Sequence, residues 1–405
     1  MHEIERKKLY EGILNFWYDL YGEPYALYDK DLLSSKQHTT LKLATKRVSA
    51  LFYKMTTLLQ HVHDDTLLEM GYPKASLHFI KKSSALAPSV IARLDFVADG
   101  NTFKVLELNS DTPTFIKECF HVNGKVCEAF SVEDVNEGEE AVLQRAIEHA
   151  ITSVTTDGYV VFTSHEDDVE DRETVLYLQQ LCRYPSRYVP LHKLQLIEGE
   201  GLFDELGQKI DVLYRQTFPI ESLLLDKTEA GEPLGEMLLQ LVCDGTLHFI
   251  NPPSAFLLQN KAVQAIIWGL HEEGNTFFTE EEHQWIQEYF LPTYLEADEF
   301  VRTNTKYVKK PLYGREGDTV EIYDGAGTKV LEEKQKTYEE YGFIYQQFAS
   351  LPKIEVNVNG TKKTLHQMFG SFVLHGKESA IGCRVGGQIT NNLSYFLPVG
   401  REKSC

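Results

Sequence analysis

Nowhere in these 405 residues do 18 apolar side chains follow one another, so no segment is expected to cross a membrane as a helix. The opening MHEIERKKLYEGILNFWYDLYG mixes charges with aromatics and lacks an apolar stretch followed by small residues, so no secretory signal is read there. Cysteine is sparse: Cys119, Cys127, Cys182, Cys243, Cys383 and Cys405 form no CxxC pair and read as reduced thiols of a cytoplasmic protein. Positive charge is also short. Forty Lys and Arg stand against 60 Asp and Glu, and a net charge of −20 argues against nucleic acid or an anionic membrane as the main partner. A cationic ligand would instead be attracted. There is no GxxxxGK[ST] loop, no internal repeat and no low-complexity linker.

What remains is an ordinary globular composition, 42% apolar and 25% charged, long enough for two or three domains or one large core. The most informative stretch is IARLDFVADGNTFKVLELN, from Ile91 to Asn109. Two alternating runs flank Asp99, Gly100 and Asn101, which reads as a β-hairpin with Leu94, Phe96, Leu106 and Leu108 on its apolar face. Strand side chains alternate with period two, so an odd loop of Gly100, Asn101 and Thr102 keeps both apolar sets together. It also sets Asp95 across from Glu107 and Arg93 across from Asn109. Two carboxylates and an amide oxygen on one face suit Mg²⁺; charged residues on the wet face of an antiparallel sheet are equally ordinary.

Along the chain, Leu9, Ile13, Phe16, Trp17 and Leu20 recur at helical spacing, as do Leu41, Val48, Leu51, Phe52, Met55 and Leu59, so the first 75 residues are expected to be mostly helical. His61, His63, Asp64 and Asp65 do not share one helix face and read as solvated surface rather than a metal cluster. Beyond Pro113 the spacing predicts helix over 115–129 and 139–153, then short strands at 158, 187 and 210 around a helix near 172–182, a βαβ rhythm with a partly parallel sheet. The stretch NPPSAFLLQNKAVQAIIWGL breaks at two prolines and enters a helix bearing Lys261. From KYVKKP onward, strands joined by Gly-containing turns describe an antiparallel region. The organisation expected is therefore a helical segment over 1–80, an α/β region over 81–250 and a last region over 251–405.

The segment YVKKPLYGREGDTVE is the candidate phosphate loop. A strand ending in Lys310 leads to Gly314, Arg315 and Gly317, whose backbone N–H groups can face an anion; such turns also merely connect hairpin strands. Arg384, late in another strand, reads on composition alone as a surface residue.

In combination, RLDF, LELNSDTPT, LYRQTFPIE, INPPSAFLLQNKA, VKKPLYGREGDTV, IYQQF and GSFVLHGKESAIGCRVGGQITNNLSYFLP resemble the synthetase domain of the glutathionylspermidine synthase family, over about Ser83 to Pro398. The resemblance implies a mixed α+β fold of ATP-grasp type in permuted order, with the acidic metal strands ahead of the nucleotide lysines. It implies Mg²⁺ on Asp95, Glu107 and Asn109, and ATP phosphates on Lys261 and Lys310 with the Gly314 to Gly317 loop above them. Lys309, one place off, is expected to point away. Arg93, Arg315 and Arg384 are implied beside the transferring phosphate. Gln346, Gln347 or Phe348 would border adenine, Thr112 and Thr114 would touch a peptide, and Glu170 and Asp171 would be an acidic pair near the substrates. Bifunctional members add an amidase, for which these residues leave no room.

The activity so implied joins a peptide-like carboxylate to an amine at the expense of ATP. Two rival readings are a nucleotide-binding scaffold that makes no amide and a phosphotransferase acting on another acceptor.

Overall fold

The structure, a computed structural model, describes residues 2–217 and 219–402. Strands Ile91–Asp99 and Thr102–Asn109 form the expected antiparallel hairpin, with Arg93 opposite Asn109 and Asp95 opposite Glu107. The turn differs from expectation. Thr102 already pairs with Asp99, so only Gly100 and Asn101 turn the chain, with Gly100 at φ +59°. An even loop alone would put the two apolar sets on opposite faces; a bulge corrects it. Asp95 pairs with Glu107 and Phe96 with Val105, leaving Leu106 as the extra residue. Phe103, Val105 and Leu108 are therefore the buried residues of this strand, and Leu106 turns to the cleft described below.

This hairpin is the edge of a six-stranded sheet whose other members come from the far end of the chain. Thr361–Leu374 pairs with Ile91–Asp99, placing Gly370 opposite Asp95 and Phe372 opposite Arg93, and Lys377–Gly386 follows with Arg384 opposite Met368. The helix Ser35–His61 packs on this sheet with Leu41, Val48, Leu51, Phe52, Met55 and Leu59 buried as the spacing predicts. Its start is set by a capping box of Ser34 and Gln37. The segment before it is less helical than predicted. Helix His2–Tyr10 stops, and Ile13, Phe16, Trp17 and Leu20 are buried from turns and a short strand instead. Asn15 adopts φ +52°, and the buried Arg6 guanidinium donates to Ala26 O and Tyr18 O, tying the chain into a reversal. Burial matches the pattern, but the period does not.

A second sheet is wholly parallel. Its order is His248–Ile250, Val212–Gln216, Val160–Ser164, Ser186–Tyr188, with helix Val169–Leu181 crossing between the last two in space. Chain order reverses between Val160–Ser164 and Val212–Gln216, so the crevice beyond Ser164 and Gln216 is the topological switch point, where ligands of such sheets bind. A third, antiparallel sheet holds Thr293–Tyr294, Phe343–Gln347, Tyr307–Pro311, Glu321–Tyr323 and Lys329–Glu332. Lys261 is not inside a helix as expected: it stands in the joint between Ala255–Gln259 and Ala262–Glu272. Asn260 makes that joint, accepting from Ala262 N at 2.8 Å and donating to Met70 O at 2.9 Å. Among the described residues no helix is long and apolar enough to cross a membrane.

Candidate functional site

A cleft opens between the hairpin sheet and the third sheet, and its chemistry starts from one strand face. Arg93 and Asp95, two residues apart, point the same way, and the guanidinium grips the carboxylate twice, Nε to Oδ1 at 2.7 Å and Nη2 to Oδ2 at 3.0 Å. Gly370 makes this possible, since a Cβ there would lie 3.0 Å from Arg93 Cδ. Asn109 donates to Asp95 Oδ2 at 3.4 Å, and Arg93 Nη1 reaches Thr114 O at 2.9 Å. Glu107 faces Lys261 at 3.4 Å. Burial pushes the Glu107 carboxyl up, but Lys261, Lys310 and Arg93 outweigh it and hold the group below its ordinary range.

These oxygens suit a hard cation. Among the described residues no three His, Cys, Asp or Glu side chains are gathered to chelate a metal unaided. Mg²⁺ does not require that, because it keeps waters and takes phosphate oxygens beside one or two carboxylates. Asp95, Glu107 and the Asn109 carbonyl fit that demand.

Lys310 enters from the opposite wall, donating to Gln346 Oε1 at 2.8 Å and to Leu106 O at 3.1 Å. The bulge thus supplies a backbone acceptor to the site. Burial lowers the Lys310 ammonium to about 8, with Glu107 opposing. Lys309 points away as alternation requires, to Glu321 at 3.5 Å and over the Phe343 ring. Gln346 is buried, while Gln347 and Phe348 line the cleft with it. Val308, Ile322, Leu351 and Met368 give this end an apolar wall that sequence reasoning missed. Val308 was within reach of it, since it shares a strand face with Lys310.

The Gly314 to Gly317 loop lies across the opening. Lys261 Nζ donates to Gly314 O at 3.0 Å, and Arg315 Nη2 donates to Thr112 O at 2.9 Å and also to Thr112 Oγ1. Gly317 sits at φ +70°, where an added Cβ would lie 2.5 Å from Thr390 O, so glycine permits the loop to rest on the C-terminal hairpin. Arg384 is not the surface residue its composition suggests. It is buried; burial and Arg93 work against its charge, but Tyr25, Glu170 and Asp95 outweigh them, and its Nε has no partner among the described residues.

Glu170 and Asp171 do not line this cleft. They begin the helix after Ser164, at the crevice of the parallel sheet, where Glu170 feels the charge of Arg384 and Asp171 that of Arg315. Burial raises Glu170 well above its ordinary range, reinforced by Glu118. Burial and Asp168 push Asp171 up to about 7. Sequence reasoning missed Glu118, which is fully buried and takes the Tyr25 hydroxyl proton donor at 2.6 Å. It missed Asp111, paired with buried Arg215, and Glu221. The only signal for these was an acid inside an otherwise uncharged or turn-rich motif. His61, His63, Asp64 and Asp65 are exposed, with His63 capping a helix. Cys119 is buried and its thiol pushed well up by that burial, unsuited to a nucleophile. Cys127, Cys182, Cys243 and Cys383 are also free and buried; Cys405 lies outside the described residues.

The mixed α/β core has the ATP-grasp type of synthetase fold, and the chain is an ATP-dependent ligase. It belongs to the glutathionylspermidine synthase preATP-grasp family, whose model matches residues 3–400. A Haemophilus influenzae protein carrying the name acid–amine ligase is 26% identical over 320 residues, 77% of this chain and 74% of that one. Trypanothione synthetase of Crithidia fasciculata is 26% identical over 325 residues, 74% of this chain but 47% of that longer protein. Among solved structures, a glutathione synthetase-like effector from Globodera pallida, in its apo form, shares the fold with a TM-score of 0.61 at 13% identity, covering 99% of this chain and 96% of that one.

Proposed function

We propose that this ligase makes an amide between the carboxylate of a small peptide and a polyamine-like amine through an acyl phosphate. The observation that carries the reading is convergence: carboxylates from residues 95 and 107, lysines 261 and 310, and arginines 93, 315 and 384 meet in one cleft from separate parts of the chain. A carboxylate is a poor acylating agent at neutral pH, and receiving the γ-phosphoryl group of ATP gives it a good leaving group. Lys261 and Lys310 hold the phosphates in line, and Arg93 and Arg384 meet the charge that develops on the transferring group. Mg²⁺ on Asp95, Glu107 and Asn109 neutralises phosphate charge when bound. Thr112 and Thr114 hold the peptide end. Glu170 and Asp171, at the switch-point crevice, are the acidic pair we assign to the amine, whose ammonium would hold them ionised against the burial that raises both. Glutathione and spermidine, the two halves of the product the family is named for, are the first substrates to try.

The experiment is ADP release against a panel of peptides with and without polyamines. ADP that forms only when acid and amine are both present, with an amide in the product, is the expected result. ADP without amide under every pairing would favour phosphotransfer to another acceptor, and nucleotide binding without ADP would favour a scaffold.

The loop that covers the cleft keeps water from the acyl phosphate. Arg315→Ala removes its tie to Thr112. The ratio of ADP released to amide formed should then rise by roughly tenfold, the loss of one charge-assisted hydrogen bond. An unchanged ratio would count against the lid role.

A further inference from the structure

Behind the loop lies a carboxyl that the reading above does not use. Glu221, at the start of the helical turn Ile220–Leu223, is 3% exposed, and its Oε2 has no hydrogen-bond partner among the described residues. Its own backbone N–H favours the ionised form. The charged groups that face it are Arg315 first, then Asp111 and Lys261, and the hydroxyls of Tyr313, Tyr338 and Tyr341 from the loop region also feel its charge. The preceding residue donates its N–H to Asp111 Oδ2 at 3.2 Å, so Glu221 is chained to the neighbour of Thr112. A buried acceptor left unsatisfied costs free energy, and the donor it faces is a guanidinium now spent on Thr112.

We propose that Glu221 is a positioning residue that receives Arg315 once a peptide takes the Thr112 acceptors, so that the loop stays shut over the occupied site. The proposal rests on the reading of Thr112 as a peptide contact and of the loop as a lid. A guanidinium displaced from a carbonyl inside a dry cleft needs a new acceptor, and a carboxylate is the strongest available. No covalent change is involved: Arg315 exchanges one hydrogen-bond partner for another. The exchange requires the ionised form of Glu221, whose carboxyl burial pushes up to about 7. The coupling of ADP release to amide formation should therefore tighten as pH rises from 6 to 8. Asp171, pushed to a similar value, and Lys310, lowered to about 8, titrate over the same range, so the part of the profile assigned to Glu221 is the part that vanishes in Glu221→Gln at saturating ATP and amine.

The test that needs no turnover is limited trypsin cleavage after Arg315 in the full chain, alone and with a non-hydrolysable ATP analogue, Mg²⁺ and glutathione. Wild type should be protected in both states. Glu221→Gln should be protected alone but cut roughly tenfold faster once the ligands are added, with Glu221→Asp between them. Equal protection of Glu221→Gln and wild type would overturn the proposal, as would faster cleavage of the variant in both states or a wild-type loop that opens when glutathione enters. If the loop behaves as expected while no peptide and amine pair yields an amide, the ligase reading fails and the assignment of Glu221 stands.

Discussion

Asp95→Asn is expected to lower amide formation by about a hundredfold or more, the cost of removing one charge aimed at a phosphoryl-transfer site, near 3 kcal/mol of barrier. Asp95 is one of two carboxylates on the hairpin face, and Asn109 donates to the same oxygen, so no neighbour can replace it. The half-saturating Mg²⁺ concentration should rise with the loss. The substitution has a second effect that the sequence did not foretell. Arg93 and Asp95 form a buried pair with side chains 7% and 3% exposed, and removing one partner of such a pair costs about 3–5 kcal/mol. The variant should therefore melt at a lower temperature, and its turnover is to be measured well below that temperature. An Asp95→Asn protein that releases ADP within threefold of wild type at equal Mg²⁺ would remove Asp95 from the metal set.

Lys310→Met should raise the KM for ATP and cost on the order of a hundredfold in kcat/KM, because a buried ammonium directed at phosphate is lost. Its effect is tied to pH in a definite direction. Burial lowers the Lys310 ammonium to about 8, and only the protonated form attracts phosphate. Below pH 8 the charge is present before the nucleotide arrives. Above it, binding must first take up a proton, so wild-type affinity for ATP should fall by up to about tenfold per pH unit until the bound lysine itself titrates. Lys310→Met should show no such fall. Lys309→Met, on the opposite face of the same strand and paired with Glu321, should leave the nucleotide affinity and its pH dependence close to wild type. A pH-independent wild-type affinity between 7 and 9 would contradict the buried-lysine account.

Much of the site was legible from residue order because it lies on strands, where alternation alone assigns faces. Arg93, Asp95, Glu107 and Asn109 share one face as counting predicted, although a two-residue turn with a bulge at Leu106 produces that register rather than the three-residue loop assumed; Lys309 was separated from Lys310 by alternation alone. The long helix Ser35–His61 was readable for the equivalent reason at period 3.6. Counting failed where the chain leaves those periods. The N-terminal segment kept its buried residues but not its helix, since a buried arginine and a positive φ at Asn15 ended the repeat. Lys261 was assigned to the nucleotide yet placed wrongly inside a helix, because the break is made by the Asn260 side chain reaching residues far away in sequence.

The sequence by itself determined which side chains share a strand or helix face, and hence the acidic hairpin and the paired-off lysine, because those periods are properties of the local backbone. Only the tertiary structure decided that Leu106 offers its carbonyl to Lys310, that Arg384 is buried beside Phe115 rather than solvated, and that Glu221 Oε2 has no partner among the described residues. Each of those depends on packing between segments far apart in the sequence, or on a single-residue bulge, and neither leaves a periodic trace for counting to find.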